Sequence, residues 1–156
     1  MIKVLFICLG NICRSPMAEA IFRDLVKKEG LEGEFTIDSA GIGDWHIGSP
    51  PHEGTRNLLD QLTISYEGMT ARQVKEEDWD NFNYIIAMDE KNISDLKAIR
   101  VERDDVVVKR LMDFVSEPKE QNVPDPYFTK NFNYTHELID EGCKELLKEI
   151  RHKHQL

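Results

Sequence analysis

The sequence predicts an α/β fold, a four-stranded parallel sheet flanked by helices on both faces and doubly wound. Three observations lead there. Four short apolar runs rich in Val, Ile and Phe are spread along the chain. Segments with apolar residues at helical spacing lie between them. The first run, Ile2–Ile7 ("IKVLFI"), is continuous rather than alternating, as a strand covered on both faces requires. Strands that alternate with helices pair in parallel through right-handed crossovers. The 156 residues suit one domain spanning 1–156, long enough to bury a core.

Each element has its own signal. After Ile2–Ile7 comes a Gly10–Asn11 turn, then Ser15-Pro16 as a predicted N-cap and first helical residue. Met17, Ile21 and Leu25, with Ala18 and Phe22 alongside, carry a helix to Gly30. A second strand is expected at Glu34–Asp38, followed by a loop over Ser39–Pro51 that carries Trp45. His52–Leu62 suits a helix, Asn83–Met88 a third strand, Asp89–Ile99 the helix behind it, and Asp104–Leu111 a fourth strand. "KEEDWD" (Lys75–Asp80) is expected to be a solvated helical turn. Phe114–Lys130 contains three prolines and no periodicity, and loops of that length in a compact domain are usually functional. A last amphipathic helix covers Asn131–Lys153, with Tyr134, Leu138, Ile139, Leu146, Leu147 and Ile150 turned inward.

Charge narrows the choice of partner. Lys and Arg number 20 against 29 Asp and Glu, a formal −9, which argues against nucleic acid or an anionic membrane. An anionic ligand therefore needs a local site that outweighs the global field. The apolar start is too short for a signal peptide or a membrane span, so a cytoplasmic protein is expected. Its three cysteines, Cys8, Cys13 and Cys143, are then free thiols. Cys143 lies near the apolar face of the last helix and is expected in the core. The five histidines have no partner legible in the sequence and are expected in solvent.

The chemistry concentrates in "CLGNICRSP", Cys8 to Pro16, at the carboxyl end of the first strand, where parallel sheets bind ligands. The backbone N–H groups of Leu9, Gly10, Asn11, Ile12, Cys13, Arg14 and Ser15 can converge at a helix N-terminus, where donors are unpaired and the dipole is positive. Gly10 permits close approach of the backbone, and Asn11 tolerates the left-handed conformation that such a nest needs. Arg14 offers a planar fork that matches two oxygens of a tetrahedral oxyanion. The same positive field favours a thiolate at Cys8, and Ser15 is placed to donate a hydrogen bond to that sulfur. A nucleophile on the floor of an anion cradle is suited to phosphoryl transfer through a thiophosphate. "VPDPYF" supplies Asp125 between two prolines that fix its backbone. Asp125 can protonate the leaving oxygen and then take a proton from the attacking water. Arg14 and the amides carry the charge stabilisation, so no metal or cofactor is called for. Zinc through Cys8 and Cys13 is disfavoured, because the spacing is unusual and no second ligand pair is evident.

"CLGNICRSPMAEA", "DSAG" (Asp38–Gly41), "ARQ" (Ala71–Gln73), "AMDEKN" (Ala87–Asn92) and "PDPY" together resemble the low-molecular-weight protein tyrosine phosphatases, over essentially the whole chain. The resemblance implies Cys8 as nucleophile, Arg14 as phosphate ligand and Asp125 as general acid. It implies a loop-stabilising network of Asn11, Ser15 and Ser39, with Asp89 as electrostatic support. Trp45 and Tyr127 correspond to aromatic cleft walls, and Cys13 to a cysteine that can form a protective, reversible disulfide with the nucleophile. Phosphotyrosine-containing proteins are the implied substrates, and a monomer is expected. Two positions depart from the pattern. Met69 stands where many members have a histidine that joins the asparagine network, and Phe128 where vertebrate members have a second tyrosine.

Rival readings are weighed on the same residues. Arsenate reductase of this fold needs relay cysteines, and only Cys143 is left outside the loop. Arginine phosphatase typically has threonine before the second cysteine, where this chain has Ile12. A non-catalytic phosphotyrosine-binding module need not keep Asp125.

Overall fold

The computed structural model describes residues 1–156. Strands β1 (Ile2–Cys8), β2 (Phe35–Gly41), β3 (Tyr84–Ala87) and β4 (Val107–Arg110) form the expected parallel sheet, in the order β2-β1-β3-β4. The register pairs Ile2 with Phe35 and Cys8 with Gly41 across β1 and β2. On the other side it pairs Val4 with Tyr84. Helices α1 (Arg14–Lys28), α2 (Glu53–Gln61), α3 (Asp78–Asn81), α4 (Glu90–Ile99), α5 (Pro126–Thr129) and α6 (Phe132–His154) complete the layers.

Strand period places alternate β1 residues on opposite faces. Val4, Phe6 and Cys8 point into the larger core with α1, α2 and α6. Leu5 and Ile7 point into a smaller one with Trp79 of α3 and Leu96 of α4. All four apolar residues Val4–Ile7 are fully buried, each worth about 2 kcal/mol against exposure, which is why the run is continuous in apolar character. Phe22 of α1 meets Phe6 and Phe35 edge-on, at centroid distances of 5.5 and 5.8 Å. Cys8 thus ends the central strand on the face that α1 covers.

Several elements differ from expectation, each for a local reason. The helix after the first strand starts at Arg14, with Cys13 as N-cap and no side-chain cap. Ser15 gives its hydroxyl to other partners and is interior to the helix. Ser39–Gly41 belongs to β2 rather than to the following loop, because parallel pairing with β1 runs on to Cys8. "KEEDWD" is not a solvated turn. Asp78 and Trp79 are buried, the carboxylate held by Arg72 at 3.1 Å and the indole filling the second core. Within Phe114–Lys130 lies α5, capped by Asp125. No helix is long and apolar enough to cross a membrane.

Candidate active site

The Cys8–Arg14 loop leaves β1 and closes back on it. Asn11 takes the left-handed conformation at φ 57°, so its own amide turns inward and donates to Cys8 Sγ at 3.3 Å. Gly10 is not left-handed; a Cβ there would stand 3.1 Å from the His46 ring. Gly41 approaches the loop closely, and a Cβ on it would lie 3.0 Å from Asn11 Cβ and 3.1 Å from the Gly10 carbonyl carbon.

Asn11 is buried and ties the loop together. Its Oδ1 accepts from the Arg72 amide at 3.0 Å, which fixes the orientation of the side chain. Its Nδ2 donates to Ser15 Oγ at 2.7 Å and to Ser39 Oγ at 3.0 Å. With that lone pair occupied, the Ser15 O–H turns to Cys8 Sγ, 3.0 Å away. The expected Asn11–Ser15–Ser39 network is therefore present without a histidine. Met69 packs against the larger core instead, and the Arg72 amide holds the asparagine. Arg72 itself was not foreseen as a site residue. Its side chain also reaches Asp38 at 3.1 Å, binding β2 to the "ARQ" segment, and no periodicity in the sequence announces a role that rests on one backbone N–H.

Arg14 is 2% exposed. Its Nη1 donates to Asp89 Oδ2 at 2.6 Å and to the Val123 carbonyl at 2.8 Å, and its Nη2 lies 3.4 Å from Asp125 Oδ2. Burial opposes its charge, but Cys8 and Asp89 outweigh that and hold the guanidinium more basic than usual. Its Nε is the one buried side-chain nitrogen or oxygen without a partner, an orphaned donor beside the loop. Buried polar groups are rarely left so, and an oxyanion seated in the loop would offer the missing acceptor.

Asp89 performs two tasks, since its Oδ1 caps α4 by accepting from the Asn92 amide at 2.8 Å. Asp125 Oδ1 accepts from the Tyr127 amide at 3.0 Å. The chain leading to Asp125 is stitched to the sheet, with the Val123 amide donating to the Met88 carbonyl at 2.9 Å. A cleft of about 260 Å³ opens above the loop, lined by Cys8, Leu9, Gly10, Ile12, Cys13, Trp45, His46, Asp125, Tyr127 and Phe128. Trp45 and Tyr127 stand on it as expected, 65% and 42% exposed.

Three histidines, His46, His52 and His136, are half-buried rather than in solvent, and the exposed His154 lies 3.1 Å from the Tyr84 hydroxyl. His46 borders the cleft. His52 caps α2 through Nδ1, accepting from Gly54 at 3.0 Å, and stacks on Phe132 at 5.2 Å. The three thiols are free and buried, Cys143 in the larger core as expected. Burial, helped by Cys8 and Asp125, pushes the Cys13 thiol up to about 12.

Residues 3–156 match the family of low molecular weight phosphotyrosine protein phosphatases. The chain belongs to that family. It is a hydrolase of the low molecular weight protein-tyrosine-phosphatase type. It is 56% identical to YfkJ of Bacillus subtilis, a low molecular weight protein-tyrosine-phosphatase, over 100% of both chains. The crystal structure of YfkJ superposes with a TM-score of 0.95, covering 98% of this chain and 96% of that one. PtpA of Staphylococcus epidermidis, another low molecular weight protein-tyrosine-phosphatase, is 42% identical over 96% of this chain and 94% of its own. A drosophila arginine phosphatase has the same fold, with a TM-score of 0.87 and 32% identity over 96% of this chain and 98% of its own.

Proposed function

We propose that the cleft hydrolyses phosphotyrosine in proteins through a phosphocysteine on Cys8. The observation that carries this reading is the convergence on Cys8 Sγ of the Ser15 hydroxyl and the Asn11 amide, beside a buried arginine with an unpartnered donor. Arg14 and the amides from Leu9 to Ser15 hold the phosphoryl oxygens, and Trp45 and Tyr127 sandwich the phenyl ring. The Cys8 thiolate attacks phosphorus, the bond to the tyrosyl oxygen breaks, and Asp125 gives that oxygen its proton. Water then attacks the phosphocysteine while Asp125 takes a proton from it. The P–S bond breaks, orthophosphate leaves, and the Cys8 thiolate returns with Asp125 protonated as before.

The whole chain acts as one monomeric domain in the cytoplasm, with Cys13 as partner of Cys8 in a protective disulfide. Ile12 favours tyrosine over arginine phosphate, the activity named for the drosophila neighbour. Rates on phosphotyrosine, phosphoserine and phosphoarginine peptides test the assignment. Phosphotyrosine should be preferred, and a faster rate on phosphoarginine refutes it. Cys8→Ser protein should have no turnover of p-nitrophenyl phosphate, and retained turnover refutes the covalent route.

A further inference from the structure

The network behind Cys8 does not stop at Ser39. The Ser39 hydroxyl donates to Glu19 Oε1 at 2.7 Å, and Glu19 Oε2 accepts from Arg23 Nη2 at 2.6 Å. Glu19 is buried on α1 at 5% exposure, an unusual place for a carboxylate that touches no ligand. Arg23, one turn further along α1, is half exposed and also reaches the Ile37 carbonyl of β2 at 2.8 Å.

We propose that Arg23 is a positioning residue for Cys8, acting by keeping the buried Glu19 a charge-balanced acceptor at the far end of the Ser39–Asn11–Ser15 relay. This rests on Cys8 being the nucleophile. The direction of every hydrogen bond in the relay follows from its two ends. Asn11 is fixed by the Arg72 amide, so its Nδ2 must donate to both serines. Ser39 can accept that bond only with its own hydrogen turned away, and the ionised Glu19 provides the acceptor for it.

Burial pushes the Glu19 carboxyl up, and the hydrogen bond from Ser39 and the charge of Arg23 pull against that. Asp38 adds a like charge nearby, itself held by Arg72. Removing Arg23 leaves two outcomes, and both oppose a reactive sulfur. If Glu19 stays ionised, an unbalanced buried anion faces the end of the relay. If it protonates, its O–H competes with Asn11 for the Ser39 oxygen, and the loop loses its anchor. Arg72, at the other end of the relay, is paired with Asp38 and Asp78, so the cation that balances Glu19 is Arg23 of α1.

The test is alkylation of Cys8 by iodoacetate at pH 6, located by peptide mass spectrometry, in the parent and in Arg23→Gln and Arg23→Lys proteins. This readout needs no phosphatase turnover, so it stands or falls apart from the proposed substrate. Arg23→Gln should alkylate about fivefold more slowly, measured at a temperature where circular dichroism shows each protein folded. Arg23→Lys, which keeps the charge, should recover most of the rate. An Arg23→Gln rate equal to the parent's overturns the proposal. Equal losses in the Gln and Lys proteins also overturn it, because they assign Arg23 to strapping α1 onto β2 rather than to charge balance.

Discussion

Asp89 holds Arg14 with one carboxylate oxygen and caps α4 with the other, and two substitutions separate those tasks. Asp89→Ser keeps an N-cap oxygen but cannot reach the guanidinium, whereas Asp89→Ala loses both. Breaking a fully buried ion pair costs about 3–5 kcal/mol. Here the Asp89 side chain is 23% exposed, and Arg14 keeps the Val123 carbonyl and Asp125, so about 2 kcal/mol is expected for Asp89→Ser. The lost cap adds about 1 kcal/mol in Asp89→Ala. Urea unfolding followed by the fluorescence of buried Trp79 should place the Ser midpoint about 1 M below the parent and the Ala midpoint lower still. Saturating orthophosphate should narrow the gap of the Ser protein, because a bound anion restores a counter-charge to Arg14. A Ser protein as stable as the parent would refute the ion pair as a structural element, and coincident Ser and Ala midpoints would refute the cap.

Asp125→Asn should lower turnover by about 10²-fold or more with poor leaving groups and far less with p-nitrophenyl phosphate; equal losses would remove Asp125 as the acid. Asn11→Ala should destabilise by about 2–4 kcal/mol, from left-handed strain and abandoned serine partners. Asn11→Gly, free of the strain, should lose about 1 kcal/mol less, and chemical denaturation reads both. Cys13 ionises higher in the folded protein, at about 12 against an ordinary 9.0, so the folded state binds its proton more tightly. That stability is fully present below pH 9 and is lost as pH rises toward 12. Denaturant midpoints across that window should fall less steeply in Cys13→Ala than in the parent, and identical slopes would contradict the assignment.

The sequence made the framework legible where one force dominated. Ile2–Ile7 could only be a doubly covered strand, and the anion chemistry of "CLGNICRSP" follows from residue types packed into one turn. Less was legible where a side chain has two possible uses. Ser15 before Pro16 looks like a cap, yet its hydroxyl lies against Cys8 and the helix begins at Arg14, two residues ahead of Pro16. Asp78 and Trp79 sit among charges and look solvated, yet Arg72, distant in type from any apolar pattern, neutralises Asp78 and lets both be buried. Glu19, which no sequence pattern singles out, is buried and bonded to Ser39 of β2. The supporting role of Arg72 rests on a backbone amide, which no residue type advertises.

The loop and the buried Arg14 are held by hydrogen bonds from the protein itself, through Asn11 on one side and Asp89 and the Val123 carbonyl on the other. A cradle of amides and one guanidinium cannot tell a phosphate ester from the free phosphate that the reaction releases, since both present non-bridging oxygens of the same kind. Discrimination would then fall to the proposed aromatic walls, the exposed rings of Trp45 and Tyr127. Product phosphate would then compete with substrate for the same floor, and the substrate's ring would supply the margin by which it wins.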